Sequence, residues 1–282
     1  MPTDADTLTP PLVVGVVHLP PLPGSPRGGS ASDFARLLDA VRRDAAVWAA
    51  GGASAVVVEN FGDVPFARNR VGPETVAAMT LAARAVQEEV DLPIGINVLR
   101  NDVESAVAIA ALTGAKFVRA NVYAAVAVTD QGVIEGDPRA VQALIHRLGV
   151  PVAVWADVDV KHAAPLAHRP IGDLAEDAVE RGLAAAVIVS GRATGQATAI
   201  TDLAAVRQSL PTTPLYVGSG VVAKQLPDLL RFANGVIVGT AAKRDGLLAN
   251  PVDSSRVRAL VDAAHAAREK QGSPTADANE RP

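Results

Sequence analysis

Along the chain, short runs of β-branched and aliphatic residues alternate with longer Ala-rich segments in which apolar positions recur every three to four residues. Strands buried on both faces read as continuous apolar runs, and the helices that cross between them read as one-sided ones, so this pattern predicts βα units around a parallel sheet. Eight such units are present, with strand cores at 12–18, 54–59, 93–98, 116–121, 150–157, 184–189, 214–217 and 235–239. Helices are expected at 33–50, 73–90, 103–113 and 138–148, among others. Asp33, Asp102 and Asp137 stand where side chains cap N-termini, and Pro73 and Pro138 suit first turns. Gly51, Gly114, Gly149 and Gly182 stand where a left-handed residue ends a helix.

Eight βα units predict an α/β fold, a closed (β/α)8 barrel. An open doubly wound sheet usually carries a Gly-rich dinucleotide fingerprint at its first βα turn. Here that turn reads HLPPLPGSPRGGS, proline-rich and too long. The 282 residues suit one barrel. The expected organisation is an N-terminal tail over 1–10, a single barrel domain over 11–270, and a disordered tail over 271–282, where QGSPTADANERP has no apolar face.

Composition narrows the function classes. With 49% hydrophobic but 3% aromatic residues, the core must be built from Ala, Val, Leu and Ile. A formal charge of -4 offers no general attraction to nucleic acid, so no nucleic-acid partner is expected. The absence of cysteine excludes disulfides, thiolate zinc sites and cysteine nucleophiles. No stretch reads as a signal peptide or transmembrane segment, which leads to the expectation of a cytoplasmic protein, with peripheral membrane contact through a surface patch left open. Barrels of this type often self-associate, so a homo-oligomer is expected.

In such barrels chemistry sits at the carboxyl ends of the strands. His18, Glu59 with Asn60, Asn97, Arg119 with Asn121, Asp157 with Asp159, and Ser190 each follow an apolar run. Any one of them alone is adequately explained as a strand cap, but polar ends in six consecutive units point to a site. Period-two alternation in the fifth strand puts Ala153, Trp155, Asp157, Asp159 and Lys161 on one face and Val152, Val154, Ala156, Val158 and Val160 on the other. Extended geometry to Lys161 would bring two carboxylates, an ammonium group and His162 to the mouth, and a lysine so placed can be an acid, a base or a Schiff-base nucleophile. A rim salt bridge is the plainer alternative. By the same alternation Glu59 aligns with Ala55 and Val57, Asn97 with Gly95, and Asn121 with Arg119 and Phe117. His18, Glu59 and Asp157 together are a candidate Mg²⁺ site, though no ligand spacing marks it.

The last two units suggest a phosphate. Gly218, Ser219 and Gly220 follow the seventh strand, and Gly239, Thr240 and Lys243 the eighth. Loops at these places commonly bind phosphate in barrels, because glycines let backbone N–H groups approach an anion. The loop SGRATGQATAITD adds Ser190, Gly191, Thr194 and Gly195 as small hydrogen-bonding residues. HLPPLPGSPRGGS, NFGDVPFARNRVGPE and NVYAAVAVTDQGVIEGD are long enough to be lids, and the first two carry Arg27, Arg68 and Arg70. The ligand expected is therefore a small anionic or phosphorylated molecule. Lys161 would be the acid or base with Asp157 and Asp159 tuning it, and Glu59 or His18 the opposing group. Asn97, Arg119 and Asn121 would orient the substrate of an isomerase, epimerase or lyase. A non-catalytic assembly factor and a metal-dependent hydrolase are the rivals.

The strings GVVHLPPLPGSP, VENFGDVPF, INVLRND, ADVDVKHAAPL, VSGRATG, VGSGV and IVGTAAKRDG followed by NPVD together resemble the BtpA family, which includes the SgcQ proteins. The resemblance runs from about residue 12 to 268 and touches nearly every βα loop in order. It implies a TIM barrel of the ribulose-phosphate-binding type. Photosynthetic members are peripheral membrane proteins of photosystem I biogenesis and SgcQ-like members are associated with sugar metabolism, so the resemblance implies a pocket more firmly than a reaction. It maps that pocket onto the strand-end and glycine-loop residues above, including Asn60, His162, Ser190 and Lys243.

Overall fold

The computed structural model describes residues 12–158, 163–191 and 198–272. Eight parallel strands close in the order β1 (Val13–His18), β11 (Gly235–Val238), β10 (Leu215–Val217), β9 (Ala186–Val189), β7 (Ala153–Val158), β4 (Phe117–Ala120), β3 (Ile94–Asn97) and β2 (Ala55–Glu59). The principal outer helices are α1 (Phe34–Ala50), α2 (Pro73–Glu89), α3 (Val103–Thr113), α4 (Pro138–Leu148), α5 (Ile171–Glu176), α6 (Ile200–Ser209), α7 (Leu226–Leu229) and α8 (Ser254–Gly272). The strands begin or end one to three residues inside the expected runs, except that β7 ends at Val158, one residue later than expected, while α3 and α4 have the expected bounds. α8 runs to Gly272, two residues past the expected end of the barrel domain.

Alternation along each strand builds two cores. Outward-facing Val56, Val58, Val154 and Val187 pack under the helices, each fully buried residue of this size contributing about 1.5–3 kcal/mol. Inward-facing Val14, Val16, Val57, Ile188 and Ile237 fill the barrel around Phe117, Trp155 and Tyr216. Those three rings stack in series, with centroids 3.9 and 4.3 Å apart. They plug the barrel floor, so only its carboxyl end is left to form a site.

Some local expectations are corrected. Asp102 and Asp137 cap α3 and α4 through Ser105 N and Ala140 N. Asp33 does not cap: a 3₁₀ turn over Ala31–Asp33 precedes α1, Ser30 caps that turn, and Asp33 pairs with Arg36. Gly114 and Gly149 are left-handed at φ 78° and 65°. Gly51 and Gly182 are right-handed, and the positive φ falls one residue later, on Gly52 and Leu183. The expected lid NVYAAVAVTDQGVIEGD is a β-hairpin of β5 (Val126–Thr129) and β6 (Gly132–Glu135), joined by β8 (Ala163–Pro165) in an antiparallel sheet. Ala127, Ile134 and Val122 bury its inner face, and Thr129 Oγ1 accepts from Gln131 N to close the turn.

Candidate active site

In the sheet register His18 lies beside Glu59, and Glu59 beside Asn97. These neighbours also meet through their side chains: Asn97 Nδ2 donates to Glu59 Oε2 at 2.5 Å, and His18 Nε2 lies 3.8 Å from Glu59 Oε1. Gly239 permits this, because a Cβ there would stand 2.5 Å from His18 Cε1. Phe61 covers the imidazole edge-on, with centroids 5.1 Å apart.

On the other side of the mouth, Arg119 makes a two-point contact with Asp157, Nε to Oδ2 at 2.8 Å and Nη2 to Oδ1 at 3.0 Å. Asn121 Nδ2 donates to Oδ2 at 2.8 Å and Ser190 Oγ to Oδ1 at 3.1 Å. Burial by itself would weaken the Arg119 charge, but the adjacent Asp157 outweighs it and holds the guanidinium above its usual value. With both oxygens engaged, Asp157 is an anchor for Arg119 rather than a proton carrier. Gly218 makes room for this group, since a Cβ there would lie 2.7 Å from Ser190 Oγ and 3.2 Å from Arg119 Nη2.

A cavity of about 500 Å³ joins these elements: its walls include His18, Glu59 and Arg119 on one side and Gly218–Ser219–Gly220 and Gly239–Thr240 on the other. Arg256 of α8 also reaches it, its Nη1 3.4 Å from the Ala241 carbonyl. A second cavity of about 440 Å³ shares Glu59, Phe61 and Arg119 with the first, and adds Arg100 and Asn121. Burial pulls the Arg100 guanidinium below its usual value, a loss that Asp157, Asp130 and Glu59 offset only in part and nearby Arg119 adds to.

The structure thus brings together His18, Glu59, Asn97, Arg119, Asn121, Asp157, Ser190, Gly218, Ser219, Gly220, Gly239 and Thr240, with Gly191 buried next to Ser190. Asp159, Lys161, His162, Thr194 and Gly195 lie outside the described residues. Two expected contacts are corrected. Asn60 is spent on the loop behind it, its Oδ1 accepting from Leu99 N at 2.7 Å and its Nδ2 donating to Asp63 at 3.1 Å. Lys243 turns away from Thr240: its Nζ is 2.5 Å from Asp44 Oδ2, and both line a separate cavity behind His18. The cause is the backbone, which pairs Lys243 with Val252 beyond a 3₁₀ turn over Thr240–Ala242. The candidate Mg²⁺ site does not fit either. Asp157 is committed to donors, and among the described residues no three His, Asp or Glu gather as metal ligands. Arg100, Phe61 and Arg256 were not foreseen. Phe61 stands two residues beyond Glu59 and Arg100 three beyond Asn97, where turn geometry decides direction, and Arg256 lies on a helix with no strand-end signal.

Fold and site define a (β/α)8 barrel whose mouth holds a buried cluster of ionisable and amide side chains facing two glycine turns. The chain belongs to the BtpA family, whose model matches residues 9–266. It is 43% identical over 251 residues to the Photosystem I biogenesis protein BtpA of Synechocystis, covering 89% of this chain and 87% of that protein. An uncharacterised protein of Thermococcus kodakarensis is 45% identical over 257 residues, covering 91% of this chain and 96% of its own. Among solved structures, thiamine phosphate pyrophosphorylase from Pyrococcus furiosus superimposes with TM-score 0.55 at 13% identity, covering 91% of this chain and 96% of its own. Orotidine 5'-phosphate decarboxylase from Pyrococcus horikoshii does so with TM-score 0.54 at 16% identity, over 90% and 99%. At such identities these structures establish the fold alone. No helix among the described residues is long and apolar enough to cross a membrane.

Proposed function

We propose that the chain is an enzyme acting on a small phosphorylated metabolite by proton transfer, as an isomerase, epimerase or lyase. The observation that carries this reading is the single cavity in which Gly218–Ser219–Gly220 and Gly239–Thr240 face Glu59 and His18. Its volume of about 500 Å³ suits a sugar phosphate. The glycine turns supply backbone amides for the phosphate, with the Ser219 and Thr240 hydroxyls beside them. Glu59, held by Asn97, takes or returns the proton, and His18 stands close enough to share the task through a small movement or one water. Arg119, fixed by Asp157, stabilises negative charge developing on a carbonyl oxygen of the substrate. Lys161, four residues past Asp157 in sequence, is the proposed opposing acid or base. The phosphorylated compounds in the names of the similar barrels support this choice of substrate class.

The test is solvent exchange. Wild type and Glu59→Gln are incubated in D₂O with a panel of sugar and nucleoside phosphates, and deuterium incorporation at carbon is followed by NMR. Loss of a positioned acid–base group should slow exchange by about 10²–10⁴-fold. Equal exchange by the two proteins would remove Glu59 from the chemistry. A second reading is favoured by one observation, the 43% identity to a photosystem I biogenesis protein. A non-catalytic assembly factor would keep its partner contacts when Glu59, Asp157 and Lys161 are neutralised together.

A further inference from the structure

The mouth offers more room than a sugar phosphate fills. The cavity behind His18 has a volume of about 690 Å³ and lies between the loop after β1, α1 and the segment around Lys243 and Pro251. His18 and Phe61 line both this cavity and the 500 Å³ one, so the two volumes adjoin. Its wall is largely apolar, with Leu19, Pro20, Pro21, Val41, Phe61 and Pro251 on it. The wall is also preformed. Each proline fixes its own φ, and the loop after β2 holds the proline pair down: Gly62 N donates to the Leu19 carbonyl at 3.1 Å, and Asp63 Oδ1 accepts from Leu22 N at 2.8 Å. Gly62 comes so close that a Cβ there would stand 2.4 Å from Pro21 N.

One polar pair stands in this apolar wall. Lys243, 3% exposed, donates from Nζ to Asp44 Oδ2 at 2.5 Å, and Asp44 Oδ1 accepts from Val252 N at 2.9 Å. An ammonium carries three N–H donors and a carboxylate about four acceptor positions, so both partners keep capacity beyond these contacts. The pair therefore presents a donor and an acceptor side by side with no net charge. A ligand anion would meet the Asp44 carboxylate and a ligand cation the Lys243 ammonium, while Arg43, which also lines the cavity, is exposed and screened by water. What suits such a pair is the edge of a neutral heterocycle, where an acceptor stands beside an N–H, and the flat faces of the ring suit the prolines and Phe61.

We propose that this cavity holds the base of a nucleoside monophosphate whose phosphate lies between the Gly218 and Gly239 turns, the base edge meeting Lys243 and Asp44 and the ribose passing His18. This rests on the phosphate reading above and narrows its substrate class to nucleotides. It gives Lys243 and the HLPPLP segment a place in the site: the lysine reads the base, and the two prolines form the wall on which the base lies.

Titration calorimetry on the full chain tests it with uridine, inosine and adenosine 5'-monophosphates against ribose 5-phosphate, inorganic phosphate and the three nucleosides. Wild type should bind at least one nucleotide tenfold or more tighter than ribose 5-phosphate. Ala40→Phe fills the cavity from α1 without altering the ion pair, and should abolish that advantage while leaving ribose 5-phosphate affinity within twofold. Lys243→Met combined with Asp44→Leu removes the pair without stranding either charge. It should reduce the advantage at least threefold, and decides the matter if Ala40→Phe fails to fold. Nucleotides that bind no tighter than ribose 5-phosphate, or an advantage that survives either change, overturn the proposal while leaving the phosphate reading intact. If neither ribose 5-phosphate nor inorganic phosphate binds wild type, the phosphate reading fails. Binding of a nucleoside that Ala40→Phe abolishes would then still support the base cavity, and no nucleoside binding would overturn that as well.

Discussion

Replacing Asp157 by Ala isolates the electrostatics of the site from its chemistry. The Arg119 and Asp157 side chains are 5% and 0% exposed, and their two-point contact is supplemented by Asn121 and Ser190. Removing the carboxylate leaves a buried guanidinium without its counter-charge and two further donors without their acceptor. Breaking a buried pair from one side costs about 3–5 kcal/mol. At about 2–4 °C per kcal/mol for a domain near this size, the unfolding temperature should fall by roughly 6–20 °C. Ser190→Ala removes one ordinary hydrogen bond and should cost only about 0.5–1.5 kcal/mol. The double variant Asp157→Leu with Arg119→Met removes both charges and should recover most of the loss, because apolar replacement of a whole pair is often neutral. Urea unfolding followed by tryptophan fluorescence, from Trp48 and from Trp155 two residues before Asp157 on β7, measures all four proteins. A loss below about 1 kcal/mol for Asp157→Ala would mean that the pair is solvated, and the description of a dry anchor for Arg119 would be wrong.

Three further outcomes are expected. Gly239→Ala places a methyl group against His18 and should slow substrate deuterium exchange by about 10²-fold, as misplacing a reacting group by about 1 Å does, with binding of inorganic phosphate less affected. Gly15→Ala drives a methyl group into the Trp48 ring beneath α1 and should cost about 1–3 kcal/mol in urea unfolding, while leaving the mouth cavities unchanged. Burial raises the Tyr216 hydroxyl well above its ordinary value, and burial raises Tyr123 against the opposing hydrogen bond from Gln142. Both groups stay neutral in the folded chain while their unfolded counterparts ionise near pH 10, so their contribution is intact below pH 10 and is lost as pH rises above it. The loss approaches about 1.4 kcal/mol per pH unit for Tyr216, and Tyr216→Phe should flatten the alkaline limb of a stability–pH curve by that increment.

The barrel was legible because its signal is repeated eight times: apolar runs such as VVVE and VIV and their turn residues agree on one architecture without any long-range information. The alternation in AVWADV correctly places Trp155 and Asp157 inside and Val154 and Ala156 outside. What alternation cannot supply is the direction of a side chain once the strand has ended. Asn60, one residue past Glu59, turns outward to Leu99, and Lys243 follows a 3₁₀ turn to Asp44, a partner 199 positions away in sequence. Arg100 reaches the mouth for the same reason in reverse. The hairpin was legible in principle, since AVAVT and GVIE alternate around a DQ turn. Its length and position after a strand make it equally readable as a lid.

Binding of a phosphorylated small molecule at the mouth is read from the unfolding temperature of the purified chain in inorganic phosphate and in sugar phosphates. A ligand at a hundredfold excess over its dissociation constant adds about 2.7 kcal/mol of stability, a rise of roughly 5–11 °C. Such a rise is expected for at least one sugar phosphate, reduced when Ser219→Ala and Thr240→Ala are combined. No rise with any phosphorylated compound, or a rise that the double substitution leaves untouched, would contradict it.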